Sequence, residues 1–255
     1  MPSDGMLLID LGNSSLKAAM LQQGGLGPIE RLAYAGADLV DVAESLAAQR
    51  TAPAAVSLAS VLPAVLTDMF RKTLARRWAC PIRLVRTQSE AHGVRIAYAD
   101  ANRLGVDRWL ALIAAHREHQ GDVVIADLGS ALTVDVLRAD GEHLGGVIAP
   151  GFAAMFAGLS ASTRFPAPTP PEPDHDDLGR DTGEGVSAGL LFAQIGAIRE
   201  VVRLARERHG LRPRLLLTGG DAARVARRLA EALDGIEIER VDDLVLRGLA
   251  IAATG

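Results

Sequence analysis

The residues best suited to chemistry in this chain stand just after short apolar runs. In LLIDLGNSSLKAAML, Asp10 closes one run, Gly12, Asn13, Ser14 and Ser15 follow, and Lys17 lies in the next run. Gly12 and Asn13 take turn dihedrals that branched residues resist, so the stretch predicts a β-hairpin rather than a strand–helix junction. Such a turn offers backbone N–H groups, hydroxyls and an amide beside a carboxylate, which suits phosphate and metal. An ordinary hairpin would read the same way. A second stretch, VVIADLGSALTVDVL, repeats the order of strand, Asp127, Leu128, Gly129, Ser130 and strand, with its aspartate 117 residues further on. The pair predicts two related α/β domains facing one cleft.

Asp107 and Arg108, in LGVDR, open a segment with helical spacing whose later turns are apolar. A carboxylate in a first helical turn commonly interacts with the helix end. It can also orient and deprotonate an alcohol. Arg108 could hold substrate oxygens or pair with a nearby acid. Tyr98 reads as a half-buried strand aromatic. Gly219 and Gly220 follow the apolar run LLLT and suit a tight β–α turn. The six histidines form no close ligand motif. His116 and His119, three apart on one helix, read as solvated, as does the acidic DHDD at 174–177.

The elements that must position these residues follow from the pattern. Strands are expected at 54–59, 82–85 and around 94–98, a helix after Pro63 at its first helical position, and a helix from Val106 to Gly121. Strand, turn, strand, Asp-Gly turn and strand then fill 122–150. A helix is expected over 152–163, and the proline-rich 164–177 excludes regular structure. The long helical pattern of 185–209 contains Gly189 and Gly196, which predicts tight packing against a neighbour. A strand leading to the Gly-Gly corner, a helix over 222–233, and a closing strand and helix complete the chain.

With 255 residues, 49% hydrophobic and 23% charged, the chain can bury a sizeable core. A net charge of −4 gives no electrostatic reason for a nucleic-acid partner. Cys80 is the sole cysteine, which excludes an intrachain disulfide and a cysteine-based metal cluster. No leader precedes Met6 and the apolar stretches break before membrane-spanning length, so no membrane partner and a cytoplasmic location are expected.

Read in order, Asp10-x-Gly-Asn-Ser-x-x-Lys17, Leu104-Gly-Val-Asp-Arg108, Asp127-x-Gly-Ser-Ala-x-Thr133-x-Asp135, Gly145-Gly-x-Ile-x-Pro-Gly151 and Thr218-Gly-Gly220 closely resemble the type III pantothenate kinases. That family belongs to the superfamily of acetate kinase, sugar kinases, the heat-shock ATPase and actin. The resemblance covers essentially the whole chain. It implies two similar actin-like (ribonuclease H-like) domains around a nucleotide cleft, divided as residues 1–118 and 119–255. It implies ATP-dependent phosphorylation of the 4′ hydroxyl of pantothenate, the first step of coenzyme A biosynthesis. Another small-molecule kinase or phosphohydrolase of the superfamily, or a non-catalytic accessory regulator, is the alternative.

By the same resemblance Asp10, Gly12, Asn13, Ser14, Ser15 and Lys17 form the first phosphate loop, with Asp10 acting through Mg²⁺ or its waters. Gly129 and Ser130 hold ATP in the second loop, Asp127 ligates a monovalent cation (K⁺ or NH₄⁺), and Gly219 and Gly220 leave room for adenosine. Asp107 is the general base. Tyr98, Gly105, Val106 and Arg108 line the pantothenate site, and Thr182 reaches it from the other subunit of a homodimer with composite sites. Three positions depart from the family pattern. Ser130 replaces threonine, Ala-Asp-Ala-Asn at 99–102 replaces a proline-containing stretch and is expected to loosen its loop, and Asp181 replaces asparagine.

Overall fold

The computed structural model describes residues 3–23, 25–34, 36–163 and 177–254. The proline-rich stretch at 164–176, most of the DHDD run and His175 lie outside the described residues. The chain divides into two compact units, Met1–Ala114 with Leu244–Gly255, and Ala115–Asp243.

In the first unit, strand β1 (Ser3–Leu11) buries Leu7, Leu8, Ile9 and Leu11. Successive side chains point to opposite faces, so this strand is covered on both sides. It turns through the expected hairpin into antiparallel β2 (Ser15–Gln22). Two short strands, β3 (Gly25–Leu26) and β4 (Glu30–Ala33), pair with β2. Helix α1 (Leu39–Ala48) is capped by Asp38, which accepts from Val40 N at 2.8 Å, and buries Leu39, Val42, Ala43, Leu46 and Ala47 at helical spacing. Strand β5 (Pro53–Ser60) returns parallel to β1. Pro63 is the N-cap of α2 (Ala64–Arg77) and not its first helical residue, because its ψ of 145° is extended. Strand β6 (Ile82–Leu84) then pairs parallel with β5. A small hairpin, β7 (Glu90–Ala91) with β8 (Val94–Arg95), precedes a 3₁₀ turn at Ala101–Arg103 and helix α3 (Val106–Glu118).

The second unit repeats the plan. Antiparallel strands β9 (Val123–Leu128), β10 (Ala131–Leu137) and β11 (His143–Pro150) come first, then helices α4 (Phe152–Ser162) and α5 (Thr182–Glu207). Strand β12 (Arg214–Thr218) pairs parallel with β9, and after α6 (Ala222–Ala232) strand β13 (Ile238–Arg240) pairs parallel with β12. The sheet orders are β3-β2-β1-β5-β6 and β11-β10-β9-β12-β13, the same succession of antiparallel and parallel neighbours. The registers agree as well. Asp10 pairs with Lys17 and Ala59, and Asp127 with Thr133 and Thr218, so each aspartate is the last residue but one of the central strand of its own sheet.

Three expectations need correction. The last helix, α7 (Leu244–Thr254), does not belong with residues 119–243. It packs on β1, β2 and β5 of the first unit and buries Leu244, Leu246, Leu249 and Ala252 there. Its apolar face must cover a sheet, and sequence order does not say which one. Gly189 and Gly196 are not sites of close packing among the described residues, since a Cβ at either would meet none of them within 4 Å. Helix α5 also reaches membrane-spanning length and hydropathy by composition, although no apolar run that long was expected. It is the core helix of its unit, with Leu191, Ile195, Ile198 and Val202 against the sheet residues Val124, Leu132 and Val134.

Candidate active site

In the first unit, the residues expected to hold phosphate and Asp107 come from segments at the carboxyl ends of parallel strands, where ligands bind in open α/β sheets. The β1–β2 turn closes with Gly12 N donating to Ser15 O at 3.0 Å, and leaves Asn13 and Ser14 exposed. Tyr34, just past β4, secures this turn from below. Its N–H donates to Ser14 O at 3.0 Å and its hydroxyl to Gly12 O. Burial, aided by the Asp10 carboxylate, pushes the Tyr34 hydroxyl above its ordinary pKa. Tyr34 cannot be picked out from the sequence, because nothing in its local pattern relates it to a turn 20 residues earlier.

Asp107 lies in the first turn of α3, where its Oδ1 accepts from Arg108 N at 2.8 Å. A Cβ at Gly105 would collide with that oxygen, so glycine is what lets the carboxylate fold over the backbone. Arg108 is 5% exposed; its Nη1 donates to Tyr98 Oη at 3.1 Å, and the guanidinium carbon lies 5.7 Å from the Tyr98 ring centroid. Two residues that the sequence left as separate possibilities thus form one polar pair beside Asp107. A cavity of about 620 Å³ is lined in part by Ser60, Arg86, Asn102, Gly105 and Val106. The loop at 99–102 is not loosened by its missing proline. Asp100 accepts from Asn102 N and Nδ2, both at 3.0 Å, and caps the 3₁₀ turn, while Thr87 Oγ1 donates to Leu104 O at 2.9 Å.

In the second unit, Asp127, Gly129 and Gly219 converge. Gly129 N donates to Ala131 O at 3.0 Å to close the hairpin, and Gly151 N donates to Ser130 O at 3.2 Å. The Gly-Gly corner packs directly on this hairpin. Gly219 has φ of +93°, and a Cβ there would stand 2.5 Å from both Asp127 Oδ1 and Leu128 O. Gly220 faces open space, and Asp221 N donates to Leu128 O at 3.0 Å. Arg224, another residue missed in the sequence, pairs with Asp221 and lies 3.7 Å from the Phe152 ring centroid. Ser130 is exposed, so the methyl it lacks relative to threonine costs no buried packing.

Thr182 is the exposed first residue of α5. Asp181 is its N-cap, accepting from Glu184 N at 2.9 Å, while Glu184 accepts from Arg180 N at 2.7 Å. This variant of the capping box gives Asp181 a structural role at the start of α5. Asp135 is buried with His143, Nε2 to Oδ1 at 2.9 Å, and joins β10 to β11. His119 is not solvated: its side chain is 8% exposed and 3.6 Å from Glu239.

The two sheets, each with an aspartate-edged hairpin, define an actin-like fold. A protein from Sinorhizobium meliloti described as a 2-dehydro-3-deoxygalactonokinase superposes with TM-score 0.61 at 16% identity, covering 97% of this chain and 95% of that one. An archaeal actin homologue superposes with TM-score 0.55 at 14% identity, covering 98% and 99%. The family model for type III pantothenate kinase matches residues 6–204, and the chain belongs to that family. The type III pantothenate kinase of Xanthomonas oryzae pv. oryzae is 38% identical over 248 residues, covering 97% of this chain and 96% of that protein. That of Nitrosococcus oceani is 32% identical over 265 residues, covering 97% and 93%.

Proposed function

We propose that this chain transfers the γ-phosphoryl group of ATP to the 4′ hydroxyl of pantothenate, giving 4′-phosphopantothenate at the start of coenzyme A biosynthesis. The observation that carries the reading is the Asp107 carboxylate folded over Gly105, beside the Arg108–Tyr98 pair, in a chain of the type III family. Asp107 orients the alcohol and accepts its proton as the new O–P bond forms and the bond from the γ-phosphorus to the β-bridging oxygen breaks, releasing ADP. Arg108, with Tyr98, Gly105 and Val106, holds pantothenate. The Gly12–Ser15 turn, Lys17, Gly129 and Ser130 hold the phosphates, and Gly219 and Gly220 flank adenosine.

The cations fit the donors present. No group of three or more His, Cys, Asp or Glu suited to a metal occurs among the described residues. Asp10 alone suits Mg²⁺, which keeps several waters and arrives on the nucleotide phosphates. Bound there, Mg²⁺ would neutralise charge on the transferring group. Asp127, beneath Gly219 and next to the Leu128 carbonyl, offers one carboxylate among backbone oxygens, a set suited to K⁺ or NH₄⁺.

A two-fold homodimer is part of this reading. Gly185, Gly189, Phe192, Ala193 and Gly196 form an exposed stripe on α5. The large exposed apolar residues of the second unit, Val147, Ile148, Leu178 and Phe192, lie on β11, on α5 or just before α5. Pairing through this surface would carry Thr182 to the partner's pantothenate site. The purified chain should turn over pantothenate with ATP, Mg²⁺ and K⁺, and stall in Tris buffer freed of K⁺, NH₄⁺ and Na⁺. Phosphorylation of some other alcohol from a panel, with pantothenate inert, would overturn the substrate assignment. Undiminished turnover without monovalent cations would remove Asp127 from its role.

A further inference from the structure

A second, smaller cavity of about 180 Å³ lies in the first unit, lined by Arg83, Arg86, Gln88, His92 and Trp109 among others. Every polar side chain on its wall can donate a hydrogen bond, and among the described residues no carboxylate lines it. Trp109 is 0% exposed, yet its indole Nε1–H has no hydrogen-bond partner among the described residues. An orphaned buried donor is costly and calls for an acceptor. The side chains of Arg83 and Arg86 make no ion pair or hydrogen bond with any described residue. His92 is held at φ of +53° in the β7–β8 turn, with its ring centroid 6.1 Å from that of Trp109 at an interplanar angle of 61°. The volume is several times the ~30 Å³ share of one water.

We propose that this cavity binds a small oxyanion, a phosphate or carboxylate group, through Trp109 Nε1 and the guanidinium groups of Arg83 and Arg86. Two guanidiniums and an indole N–H supply donors to an anion without a competing acid. None of the Gly12 turn residues lines the cavity, so the site is separate from the nucleotide loop. Trp109 stands two residues after Asp107 on α3, and Arg86 also lines the 620 Å³ cavity with Gly105 and Val106. An anion here therefore shares an arginine with the cavity proposed for substrate.

The chain has two tryptophans, so Trp78→Phe leaves Trp109 as the only one. Its fluorescence is followed while sodium phosphate or sodium acetate replaces chloride at constant ionic strength. A saturable change is expected. A response to phosphate alone selects a tetrahedral ligand, and a response to both extends the site to carboxylates. Loss of the guanidiniums in Arg83→Gln/Arg86→Gln should weaken the apparent affinity at least about tenfold. Lys17→Met, in the nucleotide hairpin, should leave it unchanged. Should Trp78→Phe fold poorly, the indole N–H resonance of Trp109 in the unaltered chain reports the same titration. No saturable response to either anion overturns the proposal. So does a response abolished by Lys17→Met but kept in the arginine variant, or a crystal grown in phosphate with only water at Trp109 Nε1.

Discussion

At the residue scale, the proposed chemistry turns on where one carboxylate is allowed to sit. Asp107 can fold over Gly105 only because that position has no Cβ, and its Oδ1 is fixed by the Arg108 amide. Asp107→Asn keeps this hydrogen bond but cannot accept a proton. The variant should fold normally and lose about 10²–10⁴-fold in kcat, the usual range for a general base. A folded variant with near-normal kcat would assign the proton to another acceptor. Tyr34 gives a test that needs no substrate. Burial first, and the Asp10 charge second, raise its folded pKa above the ordinary value of 10.0. The folded state therefore holds its proton where the unfolded chain has released it. The stability this contributes is fully present below pH 10 and is lost as pH rises through the higher folded value. Denaturant midpoints should fall more steeply above about pH 10 in the native chain than in Tyr34→Phe. Parallel declines would show that the phenol is not held neutral by the fold.

At the element scale, glycines that look alike in sequence should respond in opposite ways. Replacing a helix-interior glycine by alanine ordinarily stabilises by about 0.5–1 kcal/mol. Gly196 on α5 faces open space in the single chain, so Gly196→Ala should stabilise the isolated subunit by that amount. Gly248 on α7 lies against the Leu110 carbonyl of α3, with which an added Cβ would collide. Overpacking costs typically about 1–3 kcal/mol, which outweighs the gain in helix propensity, so Gly248→Ala should destabilise. Urea unfolding of both variants under dissociating conditions decides the signs. A stabilised Gly248→Ala would mean that α7 is not seated on α3.

At the scale of the whole molecule, the proposed dimer makes a prediction about activity rather than mass. Asp107 belongs to one unit and Thr182 to the other. In a composite site the Asp107 of one subunit works with the Thr182 of its partner. Asp107→Asn subunits and pocket-blocking Thr182→Arg subunits should each be inactive alone. A mixed dimer holds one site with both lesions and one with neither, so subunit exchange should restore part of the activity. Verified exchange without recovery would place each site within one chain. An active monomer in sedimentation would remove the dimer requirement.

By itself the sequence determined the parts that short-range chemistry controls. The Asp-Leu-Gly-small order fixes a hairpin and its register through turn dihedrals. Its recurrence foretold the repeated sheet order, and Asp107 could be placed in a first helical turn because apolar residues follow at helical spacing. The roles proposed for the carboxylates rest on the family motifs, since the residues alone left each one open to a plain capping role. Only the tertiary structure decided which distant surfaces meet. It put the Tyr34 hydroxyl on Gly12, 22 residues away, sent α7 back to the first unit, and gave Asp135 to His143. It also left the Trp109 indole beside two arginines whose side chains have no partner among the described residues. Local periodicity states that a helix face or a polar atom must be covered or paired. The partner is chosen by packing across long stretches of chain, and no spacing within a single element records that choice.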